Sequence, residues 1–140
     1  MQPTPPAAPA LASPDQPTLP RADIPDLGTR TPHGIFAGLV LTEEGHTAAL
    51  FLLVDTFTGK WQAALDWAAA LSEDAHVPSR EESGILFANV KMHIEPKWHW
   101  TSAQDSANYA WIQSFYGGNH DYAHKGHEYR ARAVRSLVIQ

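Results

Sequence analysis

Proline is concentrated at one end of the chain, and this distribution most constrains what the chain can fold into. Nine of the eleven prolines lie within the first 32 of the 140 residues. A segment so rich in proline cannot form a helix or a central strand, and it favours extended conformations. The sequence therefore predicts a Pro-rich arm or linker at residues 1–32 and a folded domain at residues 33–140, with the arm outside the domain core. If the arm packs along a neighbouring subunit, its candidate anchors are Leu19, Ile24 and Leu27.

The composition narrows the classes of function. The net charge of -5 argues against a general nucleic-acid binder, because phosphate contacts need a basic surface. The absence of cysteine excludes disulfide frameworks, thiol nucleophiles and cysteine–zinc sites, and it leaves the cellular compartment open. No apolar run approaches the length of a membrane span, so we expect no membrane-spanning segment.

Apolar patterning predicts a hairpin followed by two helices. The continuously apolar runs Gly34–Leu41 and Ala48–Asp55 flank a polar turn and favour two buried strands. Helical spacing of apolar residues predicts a first helix at Thr58–Leu71. Ser79, followed three residues later by Glu82, forms the pattern of a capping box, which predicts that a second helix begins there.

Aromatic residues dominate the last third of the chain. Strands are predicted at Lys97–Thr101, Tyr109–Phe115 and Tyr129–Ile139, with a turn at Gly117–Asn119. Large aromatic side chains bury much surface and fix a small core. The aromatic residues that we expect to be mainly structural are Trp98, Trp100, Trp111 and Phe115.

Arg132 is the charged residue of the last predicted strand for which a partner can be suggested. It alternates with the small residues Ala131 and Ala133, which let another element approach closely. An arginine on a strand that runs between layers usually pairs with a carboxylate. We therefore expect Glu81 or Glu82 to be its partner.

Five fragments of the chain carry a family resemblance. In order along residues 33–137 they read KWQAALDWAAAL, VPSREESGILFANV, KWHWTS, YAWIQSFYGGN and EYRARAVR. Together they resemble short phage and bacterial proteins with a C-type-lectin-like fold, on the branch shared with formylglycine-generating (sulfatase-modifying) enzymes. That branch also holds the variable proteins of diversity-generating retroelements. One departure is that Asp74, Ala75 and His76 stand where the family has a glycine–tryptophan–arginine lead-in.

The resemblance implies an α+β domain with the C-type-lectin-like fold. Two helices would pack on small antiparallel sheets, and the N- and C-terminal strands would pair. The enzymes of this branch work through cysteine chemistry and bound copper, and this chain has no cysteine. We therefore expect a non-enzymatic protein without a cofactor.

The resemblance also implies a ligand-binding face in the last segment. In the variable proteins, residues of this segment are diversified and displayed, and here each such residue type can be encoded by changing only the adenines of an asparagine codon. Tyrosine, serine and asparagine suit adaptable contacts, although they are also common in ordinary loops and strands. The expected partner is a protein or glycan ligand. The implied ligand-binding residues are Ile112, Ser114, Tyr116, Asn119, His120, Asp121, Tyr122, His124, His127 and Tyr129.

Two other interpretations remain open at this point. Imidazole suits transition metals, so His120, His124 and His127 with Asp121 form a rival metal site, although the preceding glycines argue against one helical face. The other interpretation is a structural phage component, without diversification, whose Pro-rich arm attaches it to other virion or cell-surface proteins. A homo-oligomer is compatible with either interpretation.

Overall fold

The computed structural model describes residues 18–140, in which two α-helices and eight strands form an α+β domain. No helix in this range is long and apolar enough to cross a membrane. The helices are α1 (Trp61–Leu71) and α2 (Arg80–Val90). The strands are β1 (Thr18–Leu19), β2 (Arg30–Thr31), β3 (Gly34–Leu41), β4 (Thr47–Gly59), β5 (Trp98–Gln104), β6 (Tyr109–Ser114), β7 (His120–His124) and β8 (Tyr129–Ile139).

The eight strands belong to one mixed sheet with the order β2-β3-β4-β8-β5-β6-β7, and β1 pairs with the end of β8. Most neighbours are antiparallel, and β4 pairs with β8 over nearly its whole length. Strand β5 meets β8 in parallel at a single residue pair, His99 and Arg130. The α+β class is therefore confirmed, with one continuous sheet in place of separate small ones.

The two helices pack on opposite faces of the sheet. Successive residues of a strand point to opposite faces, and β8 uses both. Ala133 packs in a buried cluster with Ala64 and Ala68 of α1, whereas its neighbour Val134 packs with Leu86 of α2. The small side chains of α1 and β8 allow this close approach, so the middle of the sheet is covered on both sides.

Helix α2 begins as the sequence predicts, and helix α1 begins later. The Ser79 hydroxyl accepts a hydrogen bond from the Glu82 backbone N–H at 3.1 Å, and the Glu82 carboxylate accepts from the Ser79 N–H at 2.9 Å. This confirms the capping box. The predicted first helix started at Thr58, but Thr58 and Gly59 still pair with β8, so the helix starts only at Trp61.

The tryptophans of the last third have unequal roles. Trp100 is 1 % exposed, and its indole N–H donates to the Gly59 carbonyl at 2.8 Å. Phe115 is also buried, and Trp98 is half-buried against the α1 cluster. These three are structural, as predicted. Trp111 is half-buried and lies on the opposite face of β6 from the buried Ile112, so it belongs to a different surface.

Arg132 does not pair with Glu81 or Glu82, and that prediction is wrong. Its guanidinium donates to three backbone carbonyls, those of Leu53 (2.7 Å), His93 (2.8 Å) and Asp55 (3.1 Å). The pairing register of β4 with β8 shifts between Leu52 and Thr56. Two of the three acceptor carbonyls, those of Leu53 and Asp55, lie in this irregular stretch of β4. The irregular backbone thus supplies the acceptors that a carboxylate was expected to supply.

The expectation that residues 1–32 lie outside the core is corrected for the residues that the structure describes. Thr18 and Leu19 pair in parallel with Val138 and Ile139 of β8. Leu19 is 5 % exposed and joins a buried cluster with Phe51, against which Ile24 also packs. Leu27, in contrast, is 55 % exposed. The first 17 residues of the arm lie outside the described residues.

We expect Leu19→Ala to lower the free energy of unfolding by about 2–4 kcal/mol, because it leaves a cavity among buried apolar side chains. The matched control is Leu27→Ala, which removes the same atoms from an exposed position and should change stability by less than about 0.5 kcal/mol. Urea denaturation of the full chain measures both. Equal, small effects would mean that the arm does not pack on the domain.

Candidate functional site

Strand β7 forms one edge of the sheet, and the sequence did not predict it as a strand. Five polar or small residues, His120–His124, pair antiparallel with β6, in a register that sets Trp111 opposite Tyr122. The turn between the two strands depends on Gly118, which has a φ of +83°, where other residues are strained. A Cβ there would also lie 2.7 Å from the Phe87 ring. The turn at Gly118 and the pairing with β6 thus fix the polar segment as an edge strand.

Four aromatic rings lie side by side on one face of the β6–β7 hairpin, and we call them the aromatic face. Ring centroids are 5.5 Å apart for Trp111 and Tyr122, 5.9 Å for Tyr122 and Tyr109, and 5.5 Å for Tyr109 and His124. Each contact is edge-to-face, an arrangement that the ring quadrupoles favour. The four residues are Tyr109, Trp111, Tyr122 and His124.

The row of rings continues from the aromatic face into the core. The His124 ring lies 6.2 Å from that of His127, which stacks on Tyr129 at 6.3 Å. Tyr129 meets the fully buried Trp100 edge-to-face at 5.1 Å. The exposed rings are thus anchored at one end by a side chain that cannot move without disturbing the core.

Arg80, the first residue of α2, fixes the other end of the row. Its guanidinium carbon lies 3.8 Å from the centroid of the Trp111 ring, a cation–π contact. Its Nε donates to Nδ1 of His120 at 3.4 Å. Burial and then the positive charge of Arg80 lower the pKa of His120, which favours the neutral ring whose Nδ1 accepts this hydrogen bond. The helix and the hairpin therefore hold each other in place.

The outer edge of β7 is protected against pairing with other strands. Hydrogen-bonded pairs alternate along an antiparallel ladder, and the Ser114 N–H donates to the Asn119 carbonyl at 2.8 Å. It follows that the backbone of Tyr122 points away from β6. Its N–H is bound by the Asp121 carboxylate at 2.8 Å. A carboxylate that occupies an edge donor discourages uncontrolled pairing with other strands.

Ile112 and Ser114 are not part of an exposed surface, and their assignment as ligand-binding residues is corrected. Ile112 is 4 % exposed and packs in the cluster with Trp100, and Ser114 is 7 % exposed. The Ser114 hydroxyl accepts hydrogen bonds from the N–H groups of Tyr116 and Gly117, both at 3.1 Å. The sequence leaves open which face of β6 is buried, because both faces carry large side chains, and it was the family resemblance that implied these two residues as exposed.

The other predicted ligand-binding residues are exposed or half-buried, but they do not all lie together. Tyr122, His124, His127 and Tyr129 follow one another along the row of rings. Tyr116 is 81 % exposed and lines a separate groove beside Met92. Asn119 and Asp121 are exposed, and His120 is half-buried. Sequence reasoning missed Tyr109 and Arg80 and expected Trp111 to be structural, because neither the facing of β6 nor the contact of α2 with the hairpin has a local signal.

The rival metal site is not assembled among residues 18–140. His120 and His124 lie four positions apart on an extended strand, which separates them by about 13 Å. No three His, Cys, Asp or Glu side chains within this range could hold a metal ion. The rings of His124 and His127 approach each other without a third ligand.

A second polar feature, not predicted from the sequence, pairs His76 with Glu82. The His76 Nε2 lies 2.9 Å from a Glu82 carboxylate oxygen, and its backbone pairs with Val134 of β8. Burial disfavours the charged ring, but the hydrogen bond and the charge of Glu82 outweigh it and raise the pKa of His76. Burial likewise opposes ionisation of Glu82, and His76 outweighs it and lowers the pKa of that carboxyl. The pair thus stabilises the start of α2 in charged form.

Compared with known proteins, the chain matches no family model and no curated protein sequence. The function must therefore be argued from the geometry of the site.

The His76–Glu82 pair predicts a pH dependence of stability. The raised pKa of His76 means that its contribution is present below about pH 6.5 and is lost as pH rises through the folded-state value. The lowered pKa of Glu82 adds a loss only well into acid, below its ordinary value of 4.5. The difference in unfolding free energy between the wild type and His76→Gln should therefore be largest at about pH 5–6 and shrink by pH 8. Urea denaturation across this range measures it, and a constant difference would exclude the ion pair.

Proposed function

We propose that the protein is a non-enzymatic ligand-binding (display) protein that presents the aromatic face to a protein or glycan receptor. The observation that carries the proposal is the continuous row of rings from the exposed Tyr122 to the buried Trp100. Monomeric proteins seldom arrange several large rings side by side on a surface without a use for them. Arg80 and His120 add polar groups at the end of the row.

Rigid aromatic side chains suit recognition for a thermodynamic reason. Tyrosine and tryptophan supply contact area with few rotatable bonds, so little conformational entropy is lost on binding. Here the rings already touch one another and are fixed at both ends, by Arg80 and by Trp100. A preorganised surface binds more tightly than a mobile one with the same contacts.

We also propose that the fold is that of C-type-lectin-like proteins, on the branch that holds the variable proteins of diversity-generating retroelements. What supports this is the order of elements after β3: strand β4, helices α1 and α2, a three-stranded meander, and the closing strand β8. The resemblance implies paired N- and C-terminal strands, and β8 pairs in parallel with the N-terminal strand β1 and antiparallel with β4. Two of the four residues of the aromatic face, Tyr122 and His124, then lie in the segment that such proteins diversify.

The display function is preferred to a purely structural role. A structural component would use the Pro-rich arm to reach a neighbour. Two of the three expected anchors, Leu19 and Ile24, pack against the arm's own domain. Leu27 alone remains well exposed, which leaves little apolar surface for attachment within residues 18–32.

The triple variant Tyr109→Ala, Tyr122→Ala and His124→Ala should abolish recognition and leave the fold intact. All three side chains are exposed, so each change should cost about 0.5 kcal/mol or less in unfolding free energy. Ile112 lies on β6, as Tyr109 does, but its side chain is on the buried face. Ile112→Ala should therefore lower the unfolding free energy by about 2–5 kcal/mol. Urea denaturation separates the two cases.

Recognition is measured by selecting ligands for the wild type from a glycan array and from a displayed peptide library. The matched surface control is Val54→Ala, which removes a 60 % exposed apolar side chain from β4, a strand that does not pair with the hairpin. We expect the control to retain every selected ligand and the triple variant to lose them. A triple variant that keeps the ligands would refute the aromatic face as the site.

Diversification makes a separate prediction about the flanking DNA. The retroelements of the resembled family change adenines by copying an unmutated template into the variable gene. We expect a near-copy of the region that encodes residues 110–135, differing at adenines, beside a reverse-transcriptase gene. Sequencing the flanking DNA tests this, and its absence would leave a ligand-binding protein with a fixed face.

A further inference from the structure

A small polar pocket of about 180 Å³ lies where β4, β8 and the start of β5 meet. Thr56 of β4 lies directly opposite Arg132 of β8. Two positions along each strand, Thr58 lies opposite Arg130, so these side chains share one face of the sheet. His99 of β5 pairs with Arg130 and also lines the pocket. The volume is below the range of about 300–1,000 Å³ that suits drug-sized ligands, so the pocket fits an ion or a molecule of a few atoms.

The lining of this pocket carries an excess of positive charge. It contains Arg130 and Arg132 but one carboxylate, that of Glu95, which lies 2.6 Å from Arg130. Arg132 is 7 % exposed, and no carboxylate within residues 18–140 forms a salt bridge with it. Its bonds to backbone carbonyls use three of the five N–H groups of a guanidinium. Burial without a paired anion lowers the pKa of Arg132, so an anion in the pocket would offset an existing cost.

His99 brings a hydrogen-bond acceptor to the same pocket. The residue is 3 % exposed, and its Nδ1 lies 2.8 Å from the Lys97 carbonyl. Because a carbonyl oxygen can only accept, Nδ1 carries the proton. Burial and the two arginine charges outweigh this hydrogen bond and lower the pKa of the ring to about 4, so at neutral pH Nε2 is a bare acceptor. Within residues 18–140, Nε2 has no hydrogen-bond partner.

The two buried groups together define the chemistry of a ligand. Arg132 requires an anionic oxygen, whereas Nε2 of His99 requires a donor. An oxyanion without a proton would set its lone pairs against that of Nε2. An oxyanion that keeps an acidic hydroxyl can accept from the guanidinium and donate to the imidazole at the same time.

We propose that this pocket binds a small oxyanion that carries an acidic hydroxyl, of the class of hydrogen phosphate and bicarbonate. Its anionic oxygens would accept from Arg132 and from the hydroxyls of Thr56 and Thr58, and its own hydroxyl would donate to Nε2 of His99. An ion of the same shape without the hydroxyl would leave Nε2 unpaired, and buried unpaired groups are a strong source of specificity. The proposal does not depend on the display function, because no residue of the aromatic face lines the pocket.

The test uses two pairs of probes, each matched in shape except for the hydroxyl: hydrogen phosphate against sulfate, and bicarbonate against nitrate. The labelled full chain is titrated with each ion by NMR at neutral pH and constant ionic strength. At least one hydroxylated ion should shift the Nε2 resonance of His99 and the amide of Arg132. It should also bind about tenfold more tightly than its partner, because one charge-assisted hydrogen bond is lost in the partner.

Charge variants separate this pocket from general attraction of anions. Arg130→Gln should weaken the hydroxylated ion about tenfold, because it also leaves the Glu95 carboxylate uncompensated in the lining. Arg30→Gln removes the same charge from an exposed position of β2 outside the lining, and should leave binding unchanged. Glu95→Gln should tighten binding, because it removes the competing carboxylate. None of these three positions is buried, so the variants should remain folded.

Three results would overturn the proposal. The first is equal affinity within both pairs of probes, since His99 would then not contact the hydroxyl. The second is an effect of Arg30→Gln as large as that of Arg130→Gln. The third is an Nε2 resonance of His99 that stays unchanged when hydrogen phosphate and bicarbonate are each added to saturation.

Discussion

The pairing of β4 with β8 is the constraint on which the rest of the structure depends. These two strands form the middle of the sheet, and between Ala48 and Leu52 all five residues of β4 are buried. Burial on both faces requires a cover on each side, which α1 and α2 provide. The edge of β8 that faces away from β4 also forms backbone pairings, which involve Thr18, His76 and His99. The strands that carry the aromatic face join this pair through β5, which lies beside β8.

The first turn of α2 links the aromatic face to the His76–Glu82 pair. Arg80 points to one side and holds Trp111 and His120, whereas Glu82 points to the other and holds His76. The capping box fixes the direction of this turn, and with it both contacts. The position of the aromatic face and the pairing of His76 with Glu82 are consequences of the same local structure. A substitution of Ser79 would therefore alter both the contacts of Arg80 and the contact of Glu82 with His76.

Edge strands usually carry a risk of uncontrolled association, and β7 shows how that risk is limited here. Its aromatic side chains lie on one face, while the Asp121 carboxylate binds the outward N–H of Tyr122. The five residues of β7 thus combine an exposed aromatic surface with an edge that does not favour pairing with other strands. The anchoring of the rings to Trp100 keeps that surface in one arrangement.

The sequence by itself determined the elements whose signals are local. Strands β3 and β8 have the predicted bounds, and α2 begins at the predicted cap, because hydrophobic runs and a capping box act over a few residues. Tertiary structure alone decided which face of β6 is buried. Ile112 and Trp111 are both large and apolar, so only the packing of Trp100 against one of them settles the parity. It also decided the partners of Arg132, which depend on a register shift in a strand distant in sequence. The docking of Leu19 and the pairing of His76 with Glu82 depend likewise on contacts that β8 brings together, and no local pattern encodes those contacts.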